Sequence, residues 1–167
     1  MVQTLSFKTL YVLFLISHDR RRLVHFNVTA HPTAAWVWHQ MIEATPWDQH
    51  PRYLIHDRDH VYGADFATRL AGLGIESIRT PVQAPRANAI GERVVRTLRR
   101  ECLDHILPLS EQHVQAVLTE FVTYYNRDRS HRSLGLEAPV PSRRPIAGEV
   151  VALPVLGGLH HVYERAA

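Results

Sequence analysis

Two short stretches of this sequence hold residues whose types and spacing could carry phosphoryl-transfer chemistry. Leu54-Ile55-His56-Asp57-Arg58-Asp59-His60-Val61-Tyr62 is an apolar run ending in acids, as expected of a buried strand that delivers a carboxylate to its C-terminal mouth. Pro85-Arg86-Ala87-Asn88-Ala89-Ile90-Gly91-Glu92-Arg93 is a proline-punctuated loop opening into an arginine-rich helix, with Glu92 in its first turns. Between Asp57 and Glu92 lie 34 residues. An acid at a strand end and another on a helix crossing the sheet can share a divalent ion, because Mg²⁺ takes few carboxylates and leaves positions for phosphate oxygens. Asp59 competes with Asp57 for the strand-end role.

The helix after Asn88 adds charge of the opposite sign. From Arg86 to Arg100 there are five arginines and one acid. Arginines hold a phosphodiester backbone through bidentate contacts, so Arg86, Asn88, Arg93, Arg96, Arg99 and Arg100 are the candidate DNA contacts. A solvated charged helix face is the plainer reading of the same residues. A third class of function, a small-molecule hydrolase, is open if His56-Asp57-Arg58-Asp59-His60 takes Zn²⁺.

Composition sets the frame for these candidates. The chain has 167 residues, 46% hydrophobic and 21% charged, room for one domain with a real core. The net charge is +3, the pI about 9.3, and every basic residue except Lys8 is an arginine. The single Cys102 excludes an internal disulfide. The apolar run Leu10 to Ile16 is too short to span a bilayer, so a cytoplasmic protein without a membrane partner is expected.

The elements that must position the acids follow in order. Leu5 to Ser17 reads as a strand covered on both faces, and Leu23 to Val28 as its hairpin partner. A helix from Pro32 to about Ala44 turns Ala34, Ala35, Trp38, Met41 and Ile42 inward. Arg52 to His56 is a central strand, Gly63 to Ala71 a helix with Phe66, Ala67 and Leu70 inward, and Ile75 to Arg79 a short strand. The helix from Asn88 to Ile106 buries Val95, Leu98, Cys102 and Ile106. Ser110 caps a last helix with an apolar stripe of Val114, Val117, Leu118, Phe121, Val122 and Tyr125. Residues 1–138 form the core-like domain. Residues 139–167 form a Pro/Gly-rich tail with one short strand at Glu149 to Leu153, in which adjacent His160 and His161 diverge and do not pair on a metal.

Three boxes together carry a resemblance. Asp57 to Tyr62, Pro85-x-x-Asn88-x-x-x-Glu92-Arg93, and Tyr124-Tyr125-Asn126-Arg127-x-Arg129-x-His131-x-Ser133-Leu134 resemble the integrase core of insertion-sequence transposases, kin to retroviral integrases, over roughly Val2 to Pro139. The resemblance implies an α/β, ribonuclease-H-like mixed sheet flanked by helices, an Asp, Asp, Glu triad holding two Mg²⁺ or Mn²⁺ ions, and DNA strand transfer in transposition. It assigns Asp57 and Glu92 to the second and third triad positions, with Tyr62 at the recurrent aromatic position five residues on. Arg58-Asp59 stands where the family has Asn-Gly. In the family a segment like Asn126 to Arg132 lies close to DNA; an ordinary polar connector is the equal alternative.

No acid precedes Asp19, so the triad's first Asp has no counterpart in this sequence. The expectation is a chain that starts just downstream of it, with its first strand partly or wholly missing. Such a protein binds metal weakly and has little activity, and it exposes a strand edge open to pairing with another chain. It acts as a homo-oligomer or in a mixed oligomer with full-length transposase, in the bacterial cytoplasm at the nucleoid. A catalytically dead DNA-binding or oligomerising remnant is the alternative.

Overall fold

The computed structural model describes all residues except 47–49, 83–87, 143–146 and 167. The N-terminal apolar run divides in two. Strand β1 is only Val2–Gln3 and β2 runs Thr9–Ile16, because Thr4 closes a turn between them: its N–H donates to the Lys8 carbonyl at 2.9 Å and its hydroxyl accepts from the Lys8 N–H at 3.0 Å. Leu5 and Phe7, expected in the strand, therefore lie exposed in the turn.

Strand β3, Leu23–Thr29, pairs antiparallel with β2 from Tyr11↔Thr29 to Ile16↔Leu23. Side chains alternate across a strand. Leu10, Val12, Phe14 and Ile16 accordingly join one apolar cluster and Leu13 and Leu15 another, so β2 is covered on both faces as its composition implied.

Helix α1, Ala34–Ala44, starts at Thr33, whose side chain accepts from the Trp36 N–H. It buries Val37, Gln40 and Met41, while Ala34, Ala35 and Ile42, expected inward, are exposed. The helix is rotated because β3 presents His25 and Asn27 to it: Gln40 Oε1 lies 2.9 Å from His25 Nε2 and accepts from Asn27 Nδ2 at 2.7 Å. A buried amide is tolerated when it is bonded in this way.

Strand β4, Tyr53–His56, runs parallel to β5, Glu76–Arg79, with α2, Phe66–Gly72, between them in sequence. Phe66 and Leu70 of α2 are buried and Ala67 is not. The helix starts later than its periodicity suggested. Asp59 caps a 3-10 turn at His60–Tyr62, and Gly63 then takes a φ of 74°, with the place of a Cβ only 3.0 Å from that of Ala34. Together β4, β5, α1 and α2 surround the second cluster, centred on Val37, Met41, Phe66, Leu70 and Ile75.

Helix α3, Ala89–Glu101, buries Val94 and Leu98, whereas Val95 is 44% exposed. It ends before Ile106, and the residues that follow it, Cys102 and Leu103, are both buried. Cys102 leaves helical geometry (φ −143°, ψ −72°) and a 3-10 turn follows at Leu103–His105. Helix α4, Glu111–Arg127, is capped by the Ser110 hydroxyl accepting from the His113 N–H. Its Val114, Leu118, Phe121 and Tyr125 complete the first cluster, with Val117 and Val122 at the margin.

The strands form three sets, β1-β2-β3, β4-β5 and a C-terminal pair. Among the described residues neither the outer edge of β1 nor that of β4 has a strand partner. The C-terminal strand expected at Glu149 to Leu153 runs Val150–Val155 (β6) and pairs antiparallel with β7, His160–Arg165. This hairpin docks on α4: Val162 is buried, and the Leu156 N–H donates to Glu120. No described helix is long and apolar enough to cross a membrane.

The third sequence box serves as a clasp. Asn126 reaches across to β3, its Oδ1 accepting from the Leu23 N–H at 3.0 Å and its Nδ2 donating to the Leu23 carbonyl at 2.9 Å. Replacing Asn126 with Ala strands both main-chain groups, and a partly buried unsatisfied group costs about 1–3 kcal/mol. A lowered urea midpoint with an unchanged slope is the expected result for Asn126→Ala.

Candidate active site and nucleic-acid interface

Asp57 is exposed at the end of β4, immediately after the last paired residue. One carboxylate oxygen accepts the Asp59 N–H at 3.2 Å. Tyr62, on the 3-10 turn, brings its hydroxyl to the same carboxylate. Burial, then the Asp57 charge and that hydrogen bond, push the Tyr62 phenol far above its ordinary range. The competing acid is engaged otherwise, since Asp59 caps the 3-10 turn by accepting from the Val61 N–H at 3.0 Å. Arg58 turns to the β5 side and donates to the Thr80 carbonyl at 2.9 Å.

His56 is the buried neighbour of Asp57. Its Nδ1 lies 2.7 Å from the Asp57 carbonyl oxygen and its Nε2 2.9 Å from Ser77 Oγ on β5. Burial holds the imidazole below its usual pKa against the Asp57 hydrogen bond. Nδ1 therefore donates to the carbonyl while Nε2 accepts the Ser77 hydroxyl. With both ring nitrogens engaged, His56 is a poor candidate for the zinc reading. Ser77 escaped sequence reasoning because only the β4–β5 register, in which Leu54 faces Ser77, brings it near.

Glu92 is exposed in the first turn of α3. Asn88 occupies the N-cap position without a side-chain cap bond, folded back over Gly91. Arg93, Arg96 and Arg100 are also exposed on α3, and among the described residues Arg93 and Arg96 form no ion pair. Arg99 is committed within the chain, donating to the Met1 carbonyl at 2.7 Å and pairing with Asp104 at 3.6 Å. Arg86, like Pro85 of the same box, lies outside the described residues.

The acids thus stand on elements of different clusters, β4 with the second and α3 with the first. Among the described residues no three His, Cys, Asp or Glu side chains converge as a metal-holding group. The hard oxygen donors of Asp57 and Glu92 fit Mg²⁺ or Mn²⁺ in kind, since such an ion needs only one or two carboxylates beside water and phosphate. His160 and His161 do diverge. His160 stacks on Tyr124 at 4.7 Å and bonds to the Glu101 carbonyl oxygen at 2.6 Å, while His161 lies toward Tyr163.

The Asn126 to Arg132 segment is engaged with the protein itself at three of its residues. Beyond the Asn126 clasp, Arg129 forms a fork on Glu101 at 2.6 and 2.7 Å, and His131 is buried edge-on against Tyr125 at 4.7 Å. Asn126, Arg129 and His131 are thus each tied to other parts of the chain.

Comparison with known proteins adds the following. Residues 73–139 match the family described as the integrase core domain. No curated protein matches the chain. Among solved structures, a chain of the simian T-cell lymphotropic virus intasome, in complex with PP2A regulatory subunit B56 gamma, superposes with a TM-score of 0.60 at 11% identity, covering 93% of this chain. The chain spans 60% of that relative's length. The segment 73–139 is thus similar to the integrase core domain family, and the chain has a mixed α/β, ribonuclease-H-like fold like that of the retroviral intasome chain.

Proposed function

We propose that the chain is the catalytic-core portion of a transposase or integrase, that it binds DNA, and that its Mg²⁺- or Mn²⁺-dependent strand transfer is weak or absent. The core comprises residues 1–138, with 139–167 as an appended segment. It acts as a homo-oligomer or beside full-length transposase, at cytoplasmic DNA. The single observation that carries the reading is the exposed Asp57 carboxylate at the mouth of β4, where it accepts the Asp59 N–H.

Asp57 and Glu92 would hold the ion, which when bound neutralises charge at the reacting phosphate. Arg93 and Arg96, exposed and without ion pairs among the described residues, would hold the phosphodiester backbone.

That same observation favours a second reading, a DNA-binding remnant without catalysis. Two measurements separate them. Duplex-DNA binding by fluorescence anisotropy should weaken in Arg93→Ala/Arg96→Ala, with a log–log salt slope reduced by about 2, roughly one unit for each phosphate no longer neutralised. Glu92→Gln should keep DNA binding and abolish residual Mn²⁺-dependent strand transfer. Absence of DNA binding by the unaltered chain overturns both readings. Strand transfer that is undetectable, or indifferent to Glu92→Gln, leaves the remnant.

A further inference from the structure

We infer that His56 and Tyr62 are positioning residues for Asp57, one fixing its main chain and the other its carboxylate. The inference rests on the proposed function above, in which Asp57 is a metal ligand. Asp57 lies just past the strand pairing, in a stretch with no regular structure to hold it. His56 supplies the hold from below. Its ring is anchored on the next strand through Ser77 at 2.9 Å and grips the Asp57 carbonyl at 2.7 Å. Tyr62 supplies it from above, with its ring tilted on His56 at 4.7 Å and on Phe66 at 4.9 Å and its hydroxyl at the Asp57 carboxylate. His56 also meets Phe66 edge-on at 5.1 Å, so the three rings form one packed unit.

An apolar side chain would fill the His56 site equally well if packing were the only demand. A buried imidazole with both nitrogens engaged, one of them on the acid's own carbonyl, serves orientation. The main chain of Asp59 has no such histidine grip; its carboxylate accepts the Val61 N–H, as that of Asp57 accepts the Asp59 N–H. A carboxylate oriented before the ion arrives binds it more tightly, and losing such an outer partner typically costs about 10–100-fold in metal affinity.

The test is Mn²⁺ uptake by the full chain, read as loss of the free-ion electron paramagnetic resonance signal, with thermal melts in parallel. Tyr62→Phe keeps the ring packing and should weaken Mn²⁺ binding by roughly tenfold. His56→Ala should weaken it by at least as much. In an Asp57→Asn background neither change should have further effect, because the group they position is gone. A role confined to stability would lower the melt and leave Mn²⁺ affinity unmoved in folded protein. If His56→Ala does not fold, Tyr62→Phe decides alone. Unchanged affinity in folded Tyr62→Phe, while Asp57→Asn abolishes binding, overturns the positioning role and spares the proposed function. Failure of the unaltered chain to take up Mn²⁺, or indifference to Asp57→Asn, overturns the metal-site part of the proposed function and this inference with it.

Discussion

Phe121→Ala should remove a large part of the protein's stability. Phe121 is 0% exposed at the centre of α4, and its ring lies 6.1 Å from that of Tyr124, 6.3 Å from Tyr125 and 6.0 Å from His160. Its cluster joins β2, β3, α3 and α4, so the hole left by truncation cannot close by moving one element. Such a truncation costs about 3–5 kcal/mol, against a total of roughly 5–15 kcal/mol for a domain. The same cost lowers Tm by about 10 °C in a chain of this size. Phe121→Leu keeps most of the apolar volume and should cost markedly less. Urea unfolding followed by circular dichroism checks both. An alanine variant within about 1 kcal/mol of the unaltered chain would show that α4 does not anchor the core.

The stripe along α4 was legible because a 17-residue helix repeats its period often enough to average out local accidents. Helix α1 was legible in extent and misread in orientation. The sequence marks Ala34, Ala35 and Ile42 as apolar, but it does not reveal that His25 and Asn27 of β3 demand a polar partner from the facing helix, which turns Gln40 inward. Helix α3 shows the limit of periodicity at an end. Val95 fits the repeat as well as Val94 does, and only the position of the β-sheet decides which is buried. The turn at Thr4 to Lys8 was hidden inside an apolar run because its stabilising bonds come from one threonine and from a positive φ at Phe7, a residue with no turn preference.

For the candidate site, residue types were readable and partnerships were not. Asp57 and Glu92 stand out as acids at a strand end and in a first helical turn, and Tyr62 stands out only through the family resemblance. Asp57 and Asp59 differ in their bonds, the one accepting the Asp59 N–H and the other capping a 3-10 turn, and neither bond is marked in the sequence. Arg129 was read as either a DNA contact or a connector, and Glu101 lies 28 residues earlier. Nothing in the intervening sequence signals that the start of α4's exit loop folds back on the end of α3.

That ion pair is the basis of the second large effect. Arg129 Nε and Nη2 reach the two Glu101 oxygens, with both side chains about a fifth exposed, and the guanidinium also lies 5.8 Å from the Tyr125 ring centre. Burial alone would raise the Glu101 pKa. The Arg129 hydrogen bond and charge, with smaller help from His160 and Arg100, more than offset this and hold it below the ordinary carboxylate range. Arg129→Ala removes the two bonds and leaves a carboxylate half-buried, at a cost near pH 7 of about 1.5–3 kcal/mol, the range for hydrogen bonds to charged groups. A fully buried pair would cost more, but some solvent reaches this one. The sign of the pH dependence follows from linkage. A carboxylate with a depressed folded-state pKa binds fewer protons folded than unfolded in the acid range, so its stabilisation is complete above the unfolded value and is lost as pH falls through the folded one. Without Arg129 the largest of the influences that lower the Glu101 pKa are gone, and burial opposes the remaining charges of His160 and Arg100, so its stabilising contribution shrinks. The stability gap between the unaltered chain and Arg129→Ala should therefore be widest near neutrality and close as pH falls below the carboxylate range, as read from urea midpoints at stepped pH. A gap that stays constant with pH would mean that Arg129 acts through its packing on Tyr125 and not through Glu101.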